Sequence, residues 1–263
     1  MKRKLLFTIL FVFLIAIENA TAQTVTLDYF YNHETHTAKD GQVKRFHYMW
    51  EDTDNSGFSV LGDAFKSKGA ALASLDTAPT AKNLQGTAIY IIVDPDNLKD
   101  NPHPNYIQKT DVDQIAGWVK AGGVLILMAN DSVNVELEHF NTLAERFGMH
   151  FNNDLQNHVI DDAHFDGGAV LINNNPIFKT AKKAFMKDVC SIGLKGQATA
   201  ALKAANGTVI AAVVKYGKGT VFAVGDPWLY NEYVNGRLPA GFDNDKAAID
   251  LVNYALANSH YKH

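Results

Sequence analysis

Residues 88–93, Ala-Ile-Tyr-Ile-Ile-Val, decide the fold, because an apolar run that ends at Asp94 predicts a strand buried on both faces. Such strands are typical of parallel sheets that carry helices on both sides. Residues 124–128, Val-Leu-Ile-Leu-Met, repeat the pattern, and residues 110–121 between the two runs have helical spacing of apolar side chains. The order strand, helix, strand therefore predicts a parallel crossover unit.

The same alternation extends to both sides of this unit. On the N-terminal side we expect a strand at 25–31, a polar irregular connection at 32–55, a helix that begins after Asn55 or Ser56 and ends at Gly69, and a weak strand at 70–75. On the C-terminal side we expect a helix over 137–147, a mixed stretch at 152–207, an antiparallel hairpin of 209–214 with 221–224, and a helix at 245–257 that buries Ile249, Val252 and Leu256. A capping box of Thr110 and Asp113 is expected to open the central helix. These elements predict an α/β, flavodoxin-like fold: a mostly parallel sheet with helices on both faces and a C-terminal β-hairpin.

The first 22 residues have the pattern of a signal peptide. Lys2, Arg3 and Lys4 are basic, residues 5–17 form an apolar run, and Ala20-Thr21-Ala22 is the small-residue pattern that signal peptidase recognises. The apolar run is shorter than the roughly twenty residues that a bilayer-spanning helix needs. We therefore expect a signal peptide at 1–22, a single α/β domain at 23–263, and a periplasmic or secreted protein.

The net charge limits the classes of binding partner, and the cysteine count excludes an intramolecular disulfide. The formal net charge is −4, and removal of residues 1–22 takes away three basic residues and one acidic residue, which leaves −6. This acidic balance argues against nucleic acid and against anionic membranes as partners. Cys190 is the only cysteine, so the chain has no intramolecular disulfide.

Three polar connections follow predicted strands, and the carboxyl ends of parallel strands meet at one edge of a sheet. We therefore expect these connections to line one cleft. The candidate catalytic residues are Glu51, Asp52, His33, His47 and Asp226. The candidate substrate-binding residues are Asn32, Trp50, Asp94, Asp96, Asn130, Trp228, Asn231, Glu232 and Arg237.

These side chains combine carboxylates, imidazoles, amides and flat aromatic rings, as sugar sites do, because hydroxyls need donors and acceptors while C–H faces stack on rings. In a catalytic interpretation, Glu51 or Asp52 is the general base, His33 or His47 is the acid, and Arg237 holds a sugar carboxylate. The alternative is that these residues stabilise three independent loops through local hydrogen bonds.

The sequence predicts no cofactor. It has no Gly-x-Gly-x-x-Gly fingerprint after the first strand and no Walker loop, which argues against dinucleotides and nucleoside triphosphates. It also lacks the Gly-x-Ser-x-Gly elbow of α/β-hydrolases. His33, Glu34 and His36 could bind a metal together with His47 and Asp52, but spacing within a loop carries no geometry, so we predict no metal site.

Several segments resemble known proteins. The strand ending in Val93-Asp94, residues 122–128 and the turn Gly217-Lys218-Gly219 resemble the class I glutamine amidotransferase-like fold, in its non-amidotransferase, trehalose-utilisation-type branch. Longer segments resemble an uncharacterised family of exported Bacteroidetes proteins, which is similar to domains found with unsaturated rhamnogalacturonyl hydrolases. These segments are Asn32-His33-Glu34, residues 47–52, Asn55-Ser56-Gly57-Phe58, Val93-Asp94-Pro95-Asp96 and residues 225–233.

The resemblance implies an exported carbohydrate-associated protein that binds or processes uronate-containing, pectin-type oligosaccharides, with a glycoside hydrolase as an associated partner. The alternative is a carboxylate- and histidine-dependent hydrolase or lyase that acts on such oligosaccharides. The chain departs from amidotransferases at two places. It has Ala129-Asn130-Asp131 where they carry the nucleophilic cysteine, and Asp226-Pro227-Trp228 where they carry His-Pro-Glu. The resemblance therefore does not imply glutaminase activity.

We expect the mature protein to begin at Gln23 and to fractionate with soluble periplasmic material. The physical reason is the short apolar run followed by Ala20-Thr21-Ala22. N-terminal sequencing of the purified protein checks this prediction. Retention of Met1, or recovery in a membrane pellet that resists salt, would contradict it.

Overall fold

In the computed structural model of this chain, the described residues are 22–38, 41–131, 133–161, 163–227, 230 and 232–261, without the side chain of Glu232. The strands are β1 (Thr24–Asp28), β2 (Glu34–Thr37), β3 (Val43–Phe46), β4 (Ala71–Leu75), β5 (Thr87–Val93), β6 (Val124–Met128), β7 (Met149–Phe151), β8 (Ala169–Leu171), β9 (Lys183–Phe185), β10 (Ile192–Leu194), β11 (Thr199–Lys203), β12 (Val209–Tyr216) and β13 (Gly219–Val224). The α-helices are α1 (Ser59–Ser67), α2 (Lys109–Ala121), α3 (Leu137–Glu145) and α4 (Asn244–Asn258). All of the predicted signal peptide except Ala22 lies outside the described residues.

A seven-stranded sheet forms the centre of the molecule, in the order β11-β12-β13-β6-β5-β1-β4. The five strands from β13 to β4 are parallel, whereas β12 pairs antiparallel with both β13 and β11. The predicted α/β class, the mostly parallel sheet and the C-terminal hairpin are therefore confirmed, and the arrangement is consistent with a flavodoxin-like fold.

Alternate residues of the central strands pack against different helical layers. Ile89, Ile91 and Val93 of β5 join the core under α1 and α4, and Tyr90 and Ile92 join the core under α2 and α3. Because both faces are covered, every residue of β5 and β6 is buried, as their uniformly apolar sequences predict. No helix among the described residues is long and apolar enough to cross a membrane.

Two local predictions for the helices are wrong. Gln108 caps α2 and forms the capping box with Asp111, whose Oδ2 accepts a hydrogen bond from the Gln108 amide at 2.9 Å. Asp113, which we expected in that box, lies on the outer face of α2 and pairs with Lys109 and Arg146. In α4, the buried stripe contains Ala248, Leu251, Val252 and Ala255, while Ile249 and Leu256 are half-buried.

The connection at 32–55 is also more ordered than predicted. It contains a two-stranded antiparallel hairpin in which Glu34 pairs with Phe46 and His36 pairs with Lys44. After the hairpin, His47 and Tyr48 adopt positive φ angles of 68° and 58°. Left-handed backbone is uncommon for residues other than glycine, and it returns the chain toward the main sheet here.

Asp28 is a buried carboxyl group at the end of β1. It is fully buried and accepts hydrogen bonds from the amides of Phe30 and Tyr31 at 3.1 and 2.8 Å and from the Tyr90 hydroxyl at 2.6 Å. Burial raises the pKa of Asp28 to about 7, although these three donors oppose the shift. The hydrogen bonds fix the start of the connection that follows β1.

We expect Asp28→Asn to flatten the pH dependence of stability. Because the pKa of Asp28 is higher in the folded than in the unfolded protein, the native protein loses stability as pH rises from about 4 through 7. Between pH 5 and 8, the wild type should lose on the order of 2 kcal/mol relative to the variant. Urea unfolding at both pH values measures this difference, and pH profiles of equal slope would contradict it.

Candidate functional site

The candidate site lies where β1 and β5 run side by side. The chain continues from β1 through α1 to β4 on one side and from β5 through α2 to β6 on the other, so the strand order reverses between them. In open α/β sheets, ligands bind beyond the carboxyl ends of the strands at such a switch point. The residues that follow Asp28 and Val93 therefore form the candidate site.

Hydrogen bonds tie together the two connections that leave this switch point. The Asn32 side chain donates to the Val93 carbonyl at 3.4 Å, and the His33 amide donates to Asp96 Oδ2 at 2.9 Å. The same Asp96 oxygen accepts from the Asn101 side chain at 2.9 Å. The sequence prediction that Asn32, His33 and Asp96 would come together agrees with this geometry.

Glu34, His47 and Asp94 form a carboxylate–imidazole–carboxylate arrangement. His47 Nδ1 lies 2.8 Å from Glu34 Oε1 and 3.8 Å from Asp94 Oδ2. Asn130, at the end of β6, donates to the same Asp94 oxygen at 3.3 Å. Asp94 has a positive φ angle of 46°, so its backbone shares the left-handed strain of His47 and Tyr48. Strained residues of this kind concentrate at functional sites.

Four oxygen atoms around this arrangement are buried and have no hydrogen-bond partner. They are Asn32 Oδ1, Asp94 Oδ1, Asp96 Oδ1 and Asp100 Oδ2. A buried acceptor without a donor costs on the order of 1–3 kcal/mol, so several such atoms together need a reason. We call Asn32, Glu34, His47, Asp94, Asp96 and Asp100 the acidic cluster.

Asp94 and Asp96 of the acidic cluster hold protons more tightly than exposed carboxyl groups do. Burial raises the pKa of Asp94 to about 7, and the nearby Glu34 and Asp100 charges add to this shift while His47 opposes it. Burial also raises the pKa of Asp96 to about 6. For His47, burial lowers the pKa, but the bond to Glu34 and the charge of Asp94 outweigh burial, so the net direction is upward.

Glu51 and Asp52 do not join His33 or His47 in the way the catalytic interpretation predicted. Glu51 accepts from Arg45 Nε at 2.8 Å, and the Asp52 carboxylate accepts from the Asp54 amide and the Ser56 hydroxyl, each at 2.9 Å. The residues around Asp52 form a tight turn, and donors within this turn bond to both carboxylate oxygens of Asp52. Both residues instead line an open groove of about 740 Å³, together with His36, Thr37, Ala38, Lys44, Arg45, Thr53 and Asp54.

Trp50 packs into the fold and is not an open stacking platform. Its indole N–H donates to the Ala73 carbonyl at 2.9 Å, and its ring lies against Phe58 and Phe65. His33 is exposed, and its Nδ1 lies 2.8 Å from the Tyr29 carbonyl oxygen.

Asp226 follows β13 at the same edge of the sheet as Asp94 and Asn130. It is fully buried, and its Oδ2 accepts from the Lys187 amide at 3.1 Å. Because β6 lies between β13 and β5, Asp226 is separated from Asp94 by two strand spacings, or about 10 Å. The Arg237 guanidinium stacks on Tyr233 at 4.0 Å. Trp228, Asn231 and the side chain of Glu232 lie outside the described residues, so their predicted roles stay predictions.

The predicted catalytic and substrate-binding residues do not include Glu34, Asp100 or Asn101, although Glu34 and Asn101 stand in the polar connections expected to line the cleft. Nothing local in the sequence shows that a hairpin returns His47 to Glu34. Asp100 and Asn101 follow Asp94-Pro95-Asp96 closely, and the density of Asp and Asn in this segment was the available signal.

A separate group of side chains has the spacing of a metal site. Glu136, Glu138 and His139 have ligand atoms within 4.8 Å of one another, and they are the only such group among the described residues. Glu136 already caps α3, because its carboxylate accepts from the His139 amide at 3.0 Å. Helix capping accounts for this group without an ion.

Comparisons with known proteins support the fold. No protein-family model matches the sequence, and no curated protein matches it. The solved N-terminal domain of mmIFT52 has a TM-score of 0.64 at 16% identity and covers 92% of this chain and 100% of that chain. The cytoplasmic protein STM1381 from Salmonella typhimurium LT2 has a TM-score of 0.57 at 13% identity, with 90% and 99% covered.

A third similar structure is the cold-adapted β-galactosidase from Rahnella sp. R3, with a TM-score of 0.54 at 18% identity. The match covers 90% of this chain and 31% of the β-galactosidase chain, so this chain corresponds to about a third of that enzyme. Likeness at these identities establishes a shared fold and no shared activity. The class that fold and site define is an α/β protein with a buried acidic cluster at its switch point.

We expect Asp94→Asn to stabilise the protein at pH 8. The substitution removes a buried negative charge that lacks a full set of donors, and a pKa near 7 corresponds to a stability cost of up to about 4 kcal/mol. Thermal unfolding should therefore show a raised Tm.

Asp250→Asn is the matched control for this prediction. Asp250 is equally buried, but its oxygens accept from the Thr180 amide and hydroxyl and from the Ala181 amide. Its replacement should lower the Tm. If Asp94→Asn lowers the Tm as Asp250→Asn does, the Asp94 carboxylate is a structural group.

Proposed function

We propose that this chain is an exported carbohydrate-associated protein that binds or processes uronate-containing, pectin-type oligosaccharides beside a glycan-degrading enzyme, without glutaminase activity. The observation that carries the proposal is the open groove of about 740 Å³ beside the acidic cluster. A groove of this volume accommodates a short oligosaccharide, because small-molecule sites span roughly 300–1,000 Å³. The family resemblance of the sequence supports the same ligand class.

A row of rings connects the groove with the acidic cluster. His36 lies edge-on to Phe46 with centroids 5.0 Å apart, Phe46 stacks on His47 at 5.3 Å, and His47 stacks on Tyr48 at 4.1 Å. His36 is exposed, and Phe46 and His47 are half-buried. Flat apolar surface next to polar groups suits the alternating C–H faces and hydroxyls of sugars.

The distribution of charge suggests how a uronate-containing ligand is oriented. The acidic cluster repels a sugar carboxylate, whereas the groove has two basic side chains, Lys44 and Arg45, beside the carboxylates of Glu51, Asp52 and Asp54. His36 lies two residues beyond Glu34 along β2, which corresponds to about 7 Å. Arg45 already pairs with Glu51 and Asp76, so we place the uronate carboxylate toward Lys44, with neutral hydroxyls directed toward the rings. Arg237, which the sequence analysis suggested for this role, stacks on Tyr233 instead.

The proposed absence of glutaminase activity rests on the position of Cys190. Cys190 is buried between β9 and β10 and does not follow the end of β6, where Ala129 and Asn130 stand. Burial raises the pKa of its thiol well above the ordinary range, and a thiol of this kind is a poor nucleophile.

The alternative is a hydrolase or lyase that uses the acidic cluster. One observation favours it: Glu34 orients His47, and His47 approaches Asp94, so a general acid and a general base with raised pKa values lie in contact. An orienting group, an imidazole and a third polar group form the usual core of acid–base sites.

Isothermal titration calorimetry with pectin-derived oligosaccharides tests the proposed function. We expect saturable binding that Lys44→Ala weakens about fivefold, equivalent to roughly 1 kcal/mol, because Lys44 lines the groove. Lys109→Ala is the control, since Lys109 is a highly exposed lysine on α2. Failure of every such oligosaccharide to bind, or equal loss in the two variants, would contradict the proposal.

Assays of product release from the same oligosaccharides separate binding from catalysis. Release that His47→Gln abolishes while binding is retained supports the hydrolase or lyase alternative. Binding by the wild type with no release over many hours supports a binding role.

A further inference from the structure

The acidic cluster gathers more negative charge than its own side chains balance. The charges of Glu34 and Asp100 lie close enough to raise the pKa values of Asp94 and Asp96, and Glu34 also raises the pKa of Asp100. His47 is the imidazole in contact with this group, and the Lys99 ammonium, which donates to Asn134 Oδ1 at 3.4 Å, offsets part of the charge near Asp100. Charges taken out of water in this way require a compensating charge.

The unpartnered oxygens point to what supplies that compensation. Asp94, Asp96 and Asn32 are 3%, 2% and 0% exposed, and each uses one side-chain atom for the fold and leaves the other without a partner. Asp94 Oδ2 accepts from Asn130, and Asp96 Oδ2 accepts from Asn101 and from the backbone of His33. Each of these hydrogen bonds fixes the orientation of its side chain. The unpartnered oxygen of the same side chain is therefore also held in a fixed position.

The chemistry of these free atoms is that of a hard-cation site. Carboxylate and amide carbonyl oxygens are the ligands that Ca²⁺ and Mg²⁺ take in proteins. Protonation of one carboxyl group would lower the charge and add one O–H donor, but Asn32, Asp94 and Asp96 together have three oxygens without a partner. A cation with bound water balances the negative charge of the carboxylates and also interacts with the carbonyl oxygen of Asn32.

We propose that the acidic cluster binds a hard divalent cation, Ca²⁺ or Mg²⁺, through Asn32 Oδ1 and the free carboxylate oxygens of Asp94 and Asp96. No three acidic or imidazole ligand atoms of the cluster lie within 4.8 Å of one another, unlike those of Glu136, Glu138 and His139. The ion is therefore held by at most two carboxylates, the Asn32 carbonyl and water. This inference stands apart from the proposed sugar binding, because it concerns the cluster and not the groove.

Calorimetric titration of chelator-treated protein with CaCl₂ and, separately, MgCl₂ tests the proposal without any sugar present. We expect one saturable site for at least one of the two ions, together with a rise in Tm on its addition. Asp94→Asn and Asn32→Ala should each weaken binding tenfold or more.

Glu136→Gln is the matched control, because it removes a carboxylate from the other acidic group and should leave the affinity unchanged. Asp94→Asn is expected to remain folded, so its loss of binding reports on ligation. The proposal is overturned if neither ion binds saturably at millimolar concentration, or if Glu136→Gln abolishes binding while Asp94→Asn retains it. Failure of oligosaccharides to bind in the groove would leave this result unaffected.

Discussion

The parallel pairing of β1 with β5 is the constraint on which the rest of the structure depends. The two crossovers leave these strands in opposite directions, so the gap between their carboxyl ends is closed by the loops that follow. Those loops close it with polar side chains, because their backbones need partners that the sheet no longer provides. Asn32 bonds to the Val93 carbonyl and Asp96 bonds to the His33 amide for this reason. Asp94 is thereby held in a buried, left-handed position.

Two buried aspartates at this edge differ in how many of their oxygens have partners within the protein. Asp28 accepts three hydrogen bonds at the end of β1, and burial still raises its pKa to about 7. Asp94 retains an oxygen without a partner at the end of β5. If a cation supplies the missing interaction, it also lowers the negative charge that the cluster presents to the neighbouring groove. A uronate carboxylate in the groove would then be repelled less strongly by the cluster.

Most of the fold, and part of the site, could be predicted from the sequence. The strands at β5 and β6 and the hairpin of β12 and β13 have local apolar patterns that reflect their burial directly. Asp94, Asp96 and Asn130 were predicted because they follow strand ends, which parallel topology brings to one edge.

The pairing of Glu34 with His47 could not be predicted, because it depends on a short hairpin and on left-handed residues that have no glycine signal. Glu51 and Asp52 are close to His47 in sequence, but neither forms a hydrogen bond with it. Asp52 accepts from Ser56 in its own turn, and Glu51 accepts from Arg45. Composition was enough to identify the polar loops. The hydrogen-bond partners of the residues within these loops could be identified only from the three-dimensional structure.

The central claim is that the buried oxygens at the switch point form a ligand site. A high-resolution crystal structure of protein purified without chelator tests it most directly. The account predicts a divalent cation with its bound water in contact with both Asp94 Oδ1 and Asn32 Oδ1. If protein donors occupy both oxygens and no non-protein atom reaches them, the acidic cluster is part of the architecture and the account is contradicted.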